Sequence, residues 1–421
     1  MSTFFFLLRH FNDIDHIAPV MWKLLQKKHK VLAVLENPFY RIETDVCLKY
    51  LKSFPGFRAC YYYQLKTPVP KIEIADFLQK GITENILLTV FKVFNRVFYH
   101  GSWARKVMED LKPEACMFDY GGIDGAIRGK LFQASKEMNI PVLCLPHGLN
   151  TLMDYELKES LNGTRKVPDF VRRNEFDAYI FQSVFHRDKS INWGLNPDIC
   201  CVMGSARFYP EWQELYLSLM PDFKSKNYST DKIKVVFMLQ QWGYKANKEE
   251  TLALIDKLST NENIYLVVKE HTRKGGRLSG TYKAGFKHAR NVEFTMKFPS
   301  SALIHWSDVV INMGSSIGID AILQGKYLIN PVYLHGNRTI YEETGACAIA
   351  RNHEQVVEEI INYQRNTTRP GGDYKGNTRE LIDMVVYGSK GSHNVLESYC
   401  DLIVNKAVKV SDKIIAEAIN E

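Results

Sequence analysis

The sequence predicts two doubly wound parallel α/β domains facing a cleft, and three observations lead there. Strand and helix periodicities alternate from the first residues onward. The alternation lapses once, in the polar stretch PDFKSKNYSTDK (Pro221 to Lys232), and then restarts. Several strand-like apolar runs end in polar, glycine-containing turns, which is the edge where open α/β sheets bind ligands. At 421 residues, with 45% hydrophobic and 12% aromatic side chains, the chain has ample material for two cores.

Thr3 to Leu8 is the first strand. Its apolar run within MSTFFFLLRH has no basic residue before it and is too short for a signal peptide's core or a bilayer span. Ile14, Ile17, Met21, Leu24 and Leu25 then share a helical face, and Val31 to Leu35 returns as a strand. The turn between, Arg9-His10-Phe11-Asn12-Asp13, has no glycine, so the dinucleotide fingerprint is absent and NAD or FAD is not expected here. A long helical pattern covers Ile72 to Leu111. Ala115 to Phe118 runs into Asp119-Tyr120-Gly121-Gly122, and Pro141 to Leu145 into Pro146-His147-Gly148. Asp177 to Gln182 and Ile199 to Met203 are further strands. After the polar stretch come strand Ile233 to Leu239, helix Lys248 to Leu258 and strand Ile264 to Lys269. A basic loop follows, then Asn291 to Thr295, Asp308 to Ile311 and Tyr327 to Val332. Pro370-Gly371-Gly372 marks a loop before closing helices. The expected division is an N-terminal Rossmann-like domain 1-221, a linker 222-232, a C-terminal Rossmann-like domain 233-390 and a terminal helix 391-421.

The formal net charge of +7 is modest and mixed along the chain, which suits anionic small molecules or lipid headgroups and argues against a nucleic-acid protein. The eight cysteines show no C-x-x-C spacing and several lie in apolar strands, as reduced residues of a cytoplasmic protein do. A sequon at Asn162 carries no meaning without a secretion signal. On a helix, Phe91, Phe94, Val97 and Phe98 would form an apolar face flanked by Lys92, Arg96 and Arg105. That pattern fits a helix packed on its own core more commonly than one lying at a membrane surface, and peripheral contact with the inner membrane face stays open.

Four turns carry candidate chemistry. His147 has an unperturbed pKa near ~6.5 and can accept a proton from a hydroxyl; the plainer alternative is a histidine bonded to a backbone carbonyl. Asp119 can orient that ring, serve as base, or only cap a helix. His271 sits in a basic loop with Lys269, Arg273, Lys274 and Arg277, apt for a diphosphate. In HWSDVVINMGSSIGIDAILQGKYLINP, a strand breaks at Asn312-Met313-Gly314, Ser315-Ser316 cap the next helix, and Gly325 stands where a left-handed C-cap belongs. Such a turn offers amides and hydroxyls to a phosphate, and Asp320, about one helical turn on, would accept from a ribose or sugar hydroxyl. Gln240-Gln241-Trp242-Gly243 would contact a nucleobase. No metal-ligand cluster stands out, so metal-independent chemistry without a cofactor is expected.

Together these turns resemble the GT-B superfamily: bacterial capsule-type glycosyltransferases, CDP-glycerol glycerophosphotransferases and, more distantly, non-hydrolysing UDP-GlcNAc 2-epimerases. The resemblance rests on His147-Gly148, on Lys269-Glu270-His271-Thr272, and on Gly314-Ser315-Ser316 through Asp320-Ala321 to Gly325-Lys326, with Glu342 to Gly345 downstream. Thr272 replaces the usual proline and Asp320 the usual glutamate. The resemblance implies His147 as the acceptor-activating base, His271 on the donor phosphate, the serine turn on phosphate and Asp320 on the ribose. It implies a nucleotide-sugar donor and a saccharide or lipid-linked saccharide acceptor in cell-envelope polysaccharide or glycolipid synthesis. Polyol-phosphate transfer, epimerisation and non-catalytic nucleotide-sugar binding are the alternatives.

Overall fold

The computed structural model describes residues 2–65, 98–120, 123, 125–153, 169–225, 228, 231–272, 274–365 and 375–420. The expectations for Gly121, Gly122, Arg273, the sequon at Asn162, Pro370-Gly371-Gly372 and the helical pattern from Ile72 through Val97 lie outside those residues. The chain divides into two compact units. One comprises Met1–Gly148, Pro168–Trp212 and Val385–Glu421; the other comprises Leu149–Val167 and Gln213–Met384.

The first unit holds β1 (Thr3–Leu8), β2 (Lys30–Leu35), β3 (Phe57–Tyr61), β4 (Ala115–Asp119), β5 (Val142–Leu145), β6 (Ala178–Phe181) and β7 (Cys200–Val202). They form a seven-stranded sheet in the order β3-β2-β1-β4-β5-β6-β7, and every ladder is parallel. Strands such as FFFLL are apolar on both faces because helices cover both sides of such a sheet. All five residues of the expected face of helix Phe11–Gln26, from Ile14 to Leu25, are buried. Register sets the site: Leu7 is level with Phe118, and Asp119 with Leu145, so the ends of β1, β4 and β5 lie side by side.

The second unit holds β8 (Ile233–Met238), β9 (Ile264–Lys269), β10 (Val292–Thr295), β11 (Val309–Asn312), β12 (Tyr327–Pro331) and β13 (Ala348–Ala350). The order is β10-β9-β8-β11-β12-β13, again all parallel. In each sheet the winding reverses beside the first strand, between β1 and β4 and between β8 and β11. Ligands of doubly wound folds sit at this switch point.

Two features differ from the sequence reading. The polar stretch after Pro221 is packed onto the second unit by isolated aromatics: Phe223 meets Phe298 and Trp306 with ring centroids 4.9 and 5.1 Å apart, and Tyr228 meets Trp306 at 5.7 Å. Anchors of this kind leave no periodic signal. The last helix, Val395–Asn420, belongs to the first unit. Glu397 pairs with Lys23 at 3.2 Å, and the Tyr399 hydroxyl donates to the Gly204 carbonyl at 2.9 Å. Of the amphipathic face, Phe91, Phe94 and Val97 lie outside the described residues and Phe98 is 38% exposed, while the following helix, Gly101–Leu111, buries Trp103, Ala104, Val107 and Met108 in its own core and Arg105 pairs with Glu137. All eight cysteines are free, and six of them are buried. Among the described residues no helix is long and apolar enough to cross a membrane.

Candidate functional site

The chain leaves β1 at Arg9 and turns at once into helix Phe11–Gln26. Asp13, in the first helical turn, accepts the Arg9 amide at 2.6 Å and the His10 amide at 3.4 Å on the same oxygen. This local arrangement is favourable because the amides at a helix N-terminus carry partial positive charge. Asp119 ends β4 and is fully buried. Its two carboxylate oxygens pair with separate guanidinium groups, one from Arg9 and one from Arg128. Arg128 opens helix Arg128–Glu137, and its second amino group reaches Glu36, just past β2, at 3.0 Å. His147 follows β5 with its side chain 29% exposed; Nδ1 lies 3.4 Å from Asp119 and 3.4 Å from the Arg9 guanidinium. The ring meets Tyr120 edge-on at 5.7 Å. Arg9, Asp13, Glu36, Asp119, Arg128 and His147 thus meet where four adjacent strands end.

Burial sets the protonation states, modified by these partners. Burial alone would raise the Asp119 carboxyl, but Arg128 and Arg9 hold it below the ordinary value, so it is ionised. Asp13 is pushed up to about 7, first by burial and then by the neighbouring Asp119 charge. Its Oδ1 is buried without a hydrogen-bond partner. His147 is lowered to about 4 by burial, against the pull of Asp119. The imidazole is therefore neutral at pH 7. Nδ1 faces both the Arg9 guanidinium, a donor, and the Asp119 carboxylate, an acceptor; in the tautomer that carries its proton on Nδ1, the Nε2 lone pair is left to take a proton, as in histidine–carboxylate pairs. Asp13, Asp119 and His147 also offer ligand atoms within 4.8 Å of one another, the spacing a cation would need. Arg9 already supplies positive charge there, so a divalent ion would have to displace its guanidinium.

In the second unit, β11 ends at Asn312 and the chain turns through Gly314 at φ +74°, a conformation that favours glycine. A Cβ on Gly314 would lie 2.7 Å from the Thr339 methyl. Buried side chains hold the turn's carbonyls. Thr151 donates to the Gly314 carbonyl at 2.5 Å, and Tyr341 and Asn312 donate to that of Ser315 at 2.7 and 2.9 Å. Gly318 packs so closely beneath that a Cβ would come 2.6 Å from the Tyr341 hydroxyl. The carbonyls are thereby tied inward. Among the described residues the amides of Ser315 and Ser316 donate to no acceptor, which leaves them for a ligand.

Several sequence expectations are corrected in this unit. The serines do not cap helix Ile317–Leu323 with their side chains: Ser316 makes no cap bond, and the Ser315 hydroxyl donates to Asn312 at 2.7 Å. Gly325, at φ +67° just past the C-cap, stands as expected. Asp320 is fully buried, and its carboxylate accepts from Ser301, Gln213 and, at 2.9 Å, Gln324. It faces those partners, so holding a ribose would require exchanging their bonds. Lys269 ends β9 with its ammonium turned inward, donating to the carbonyls of Met296 at 2.7 Å and Glu270 at 3.2 Å. Burial lowers it to about 8. It fastens the ends of β9 and β10 and does not belong to an open basic loop. His271 follows on the same edge, half-buried, with its amide donating to the Gly276 carbonyl at 3.3 Å. The ends of β8, β9 and β11 thus bring Gln241, His271 and the Gly314–Ser316 turn to one edge. Sequence reasoning missed Arg9, Asp13, Glu36 and Arg128. The available signal was the concentration of Arg9, His10 and Asp13 in one turn directly after a buried strand.

Two doubly wound sheets with this strand order, and a terminal helix returning to the first unit, define the GT-B fold. No family model matches the sequence, and no curated protein matches it. Solved structures share the fold along nearly the whole chain. UDP-GlcNAc 2-epimerase from Neisseria meningitidis, bound to UDP-GlcNAc, superposes with a TM-score of 0.56 at 14% identity, over 97% of this chain and 100% of that one. The S. aureus MnaA structure with UDP gives 0.54 at 11% identity, over 91% and 96%. CalG4, the calicheamicin glycosyltransferase, gives 0.51 at 13% identity, over 96% and 98%.

Proposed function

We propose that this chain is a metal-independent glycosyltransferase of the GT-B type, moving a sugar from a nucleotide-activated donor to a hydroxyl of a saccharide or lipid-linked saccharide. The observation that carries this reading is His147, neutral at pH 7 and backed by Asp119 where the first sheet changes winding direction. The acceptor oxygen attacks the anomeric carbon, the bond from that carbon to the phosphate oxygen breaks, and the nucleoside diphosphate leaves with the electron pair. The acceptor's proton passes to Nε2 of His147. In the second unit, the Ser315 and Ser316 amides and His271 take the donor phosphates, and Arg273 of the adjoining basic loop adds charge. Surface-polysaccharide or glycolipid synthesis is the setting this chemistry suits, and it is compatible with peripheral work at a membrane.

The test is product analysis by mass spectrometry with a panel of nucleotide sugars and oligosaccharide acceptors. His147→Gln should lower turnover by roughly two to four orders of magnitude with nucleotide binding intact. Unchanged turnover would remove His147 as base.

One observation favours a second reading. Asp13 and Asp119 sit together, one pushed up to about 7 and the other held low, an acid and a base side by side. Such a pair suits removal and return of a ring proton in an epimerase. Solvent deuterium entering a nucleotide sugar without any acceptor present would decide for it.

A further inference from the structure

The first sheet carries an aromatic surface that the proposed chemistry does not use. Where β3 ends, Tyr62 turns into the core against Tyr99, with ring centroids 5.2 Å apart, while Tyr61 and Tyr63 remain partly exposed. Tyr61 and Tyr63 stack on each other at 5.2 Å with an interplanar angle of 5°. The pair is held in place. The Tyr61 hydroxyl donates to the Tyr40 carbonyl at 2.5 Å, and the Tyr40 hydroxyl donates to buried Asp45 at 2.5 Å. Glu43, exposed, lies close enough to act on both stacked phenols. Glu36, at the end of the adjoining β2, links this region to the Asp119 cluster through Arg128.

We propose that Tyr61 and Tyr63 form a platform for a sugar ring of the acceptor, one or more residues away from the hydroxyl that reacts. A pyranose has one apolar C–H face, which packs on an aromatic plane, and a rim of hydroxyls, which carboxylates such as Glu43 accept. An acyl chain would find only the first of these. The distance fixes the register. From β3 across β2, β1 and β4 to β5, which His147 follows, is four strand spacings, roughly 19 Å at about 4.8 Å each. That is about three to four sugar units. The acceptor class is therefore an oligosaccharide, with the unit remote from the growing end seated on the tyrosines. The inference rests on the transferase reading for why a saccharide should lie along this edge.

Binding tests it without requiring turnover. Methyl glycosides and oligosaccharides of glucose, galactose and N-acetylglucosamine, one to five residues long, would be titrated into the full chain by saturation-transfer NMR. Affinity should rise at four residues. Tyr63→Ala should cancel that rise, weakening the longer ligands about three- to tenfold and leaving monosaccharides unchanged, while Tyr63→Phe keeps it. Length-dependent binding that survives Tyr63→Ala, equal losses at every length, or no saccharide binding at all overturns the proposal. Length-dependent binding lost in Tyr63→Ala, in a protein that consumes no nucleotide sugar, would leave the platform standing and remove the transferase.

Discussion

Replacing Asp119 with asparagine removes the charge that two guanidinium groups share. Asp119 is fully buried, and Arg128, 2% exposed, is nearly so. Breaking a buried ion pair from one side costs about 3–5 kcal/mol, because the remaining charge stays desolvated. Here the lower end applies. Arg128 keeps Glu36 at 3.0 Å, and Arg9, whose side chain is 31% exposed, keeps Asp13 and some water. A loss of about 3 kcal/mol follows, or roughly 6–12 °C in the melting temperature of a unit of this size. Urea denaturation followed by far-ultraviolet circular dichroism would read it. Asp13 should respond as well. The Asp119 charge is one of the influences raising it, so it ionises more readily in the variant and restores part of the lost pairing. The double variant Asp119→Asn/Asp13→Asn should therefore be less stable than the sum of the singles implies. An Asp119→Asn protein within about 0.5 kcal/mol of wild type would refute the buried ion-pair reading of this cluster.

Two further substitutions test the geometry. Asp13 has a folded value of about 7 against an ordinary 3.8, so between those limits the folded state holds more protons than the unfolded one and stability falls as pH rises. His147, lowered to about 4, and His16, lowered to about 3 mainly by burial, have the opposite sign and lose stability as pH falls below ~6.5. Asp13→Asn should accordingly match wild type near pH 4 and exceed it at pH 8 by at least ~1 kcal/mol, against a ceiling of about 4 kcal/mol for the whole shift. Thermal melts across that range check it. In the second unit, Gly318→Ala would drive a methyl against the Tyr341 hydroxyl and the Asn312 amide, 2.6 and 2.7 Å away. It should cost about 1–3 kcal/mol in denaturant and weaken nucleotide binding together, since the same two side chains hold the Ser315 carbonyl.

How far the sequence alone reached depended on whether a feature was local. The strands β1, β2, β4, β5, β8, β9 and β11 announce themselves as short apolar, β-branched or aromatic runs bounded by polar turns, and most appear within a residue or two of where they were expected. By contrast β3, FRACY, buries only Cys60 and carries an exposed arginine, and β13 has three residues, so neither rises above its surroundings. His147 and Asp119 were legible because each follows or ends a buried strand. Arg9, Asp13 and Arg128 were not, since they become partners only when β1 and β4, distant in sequence, pair side by side. Asp320 shows the limit of helical spacing. Its position one turn beyond Ser316 was right, but spacing alone does not reveal that Ser301 and Gln213 would meet the carboxylate from other elements. Lys269 failed likewise, counted with a basic loop although it is the last residue of a strand and points inward.

The central claim is that the second unit holds the phosphates of a nucleotide-activated sugar, and a thermal-shift titration of the full chain with CMP, CDP, UDP, GDP and ADP tests it most directly. A nucleotide present at about a hundred times its dissociation constant should add roughly 2.7 kcal/mol of stability. The expected result is that one diphosphate stabilises the wild type clearly and stabilises His271→Ala, and Gly318→Ala with its disturbed Ser315–Ser316 turn, much less, which would also name the donor to assay. Absence of a shift with every nucleotide would contradict the claim and leave the Gly314–Ser316 turn as an ordinary corner between a strand and a helix.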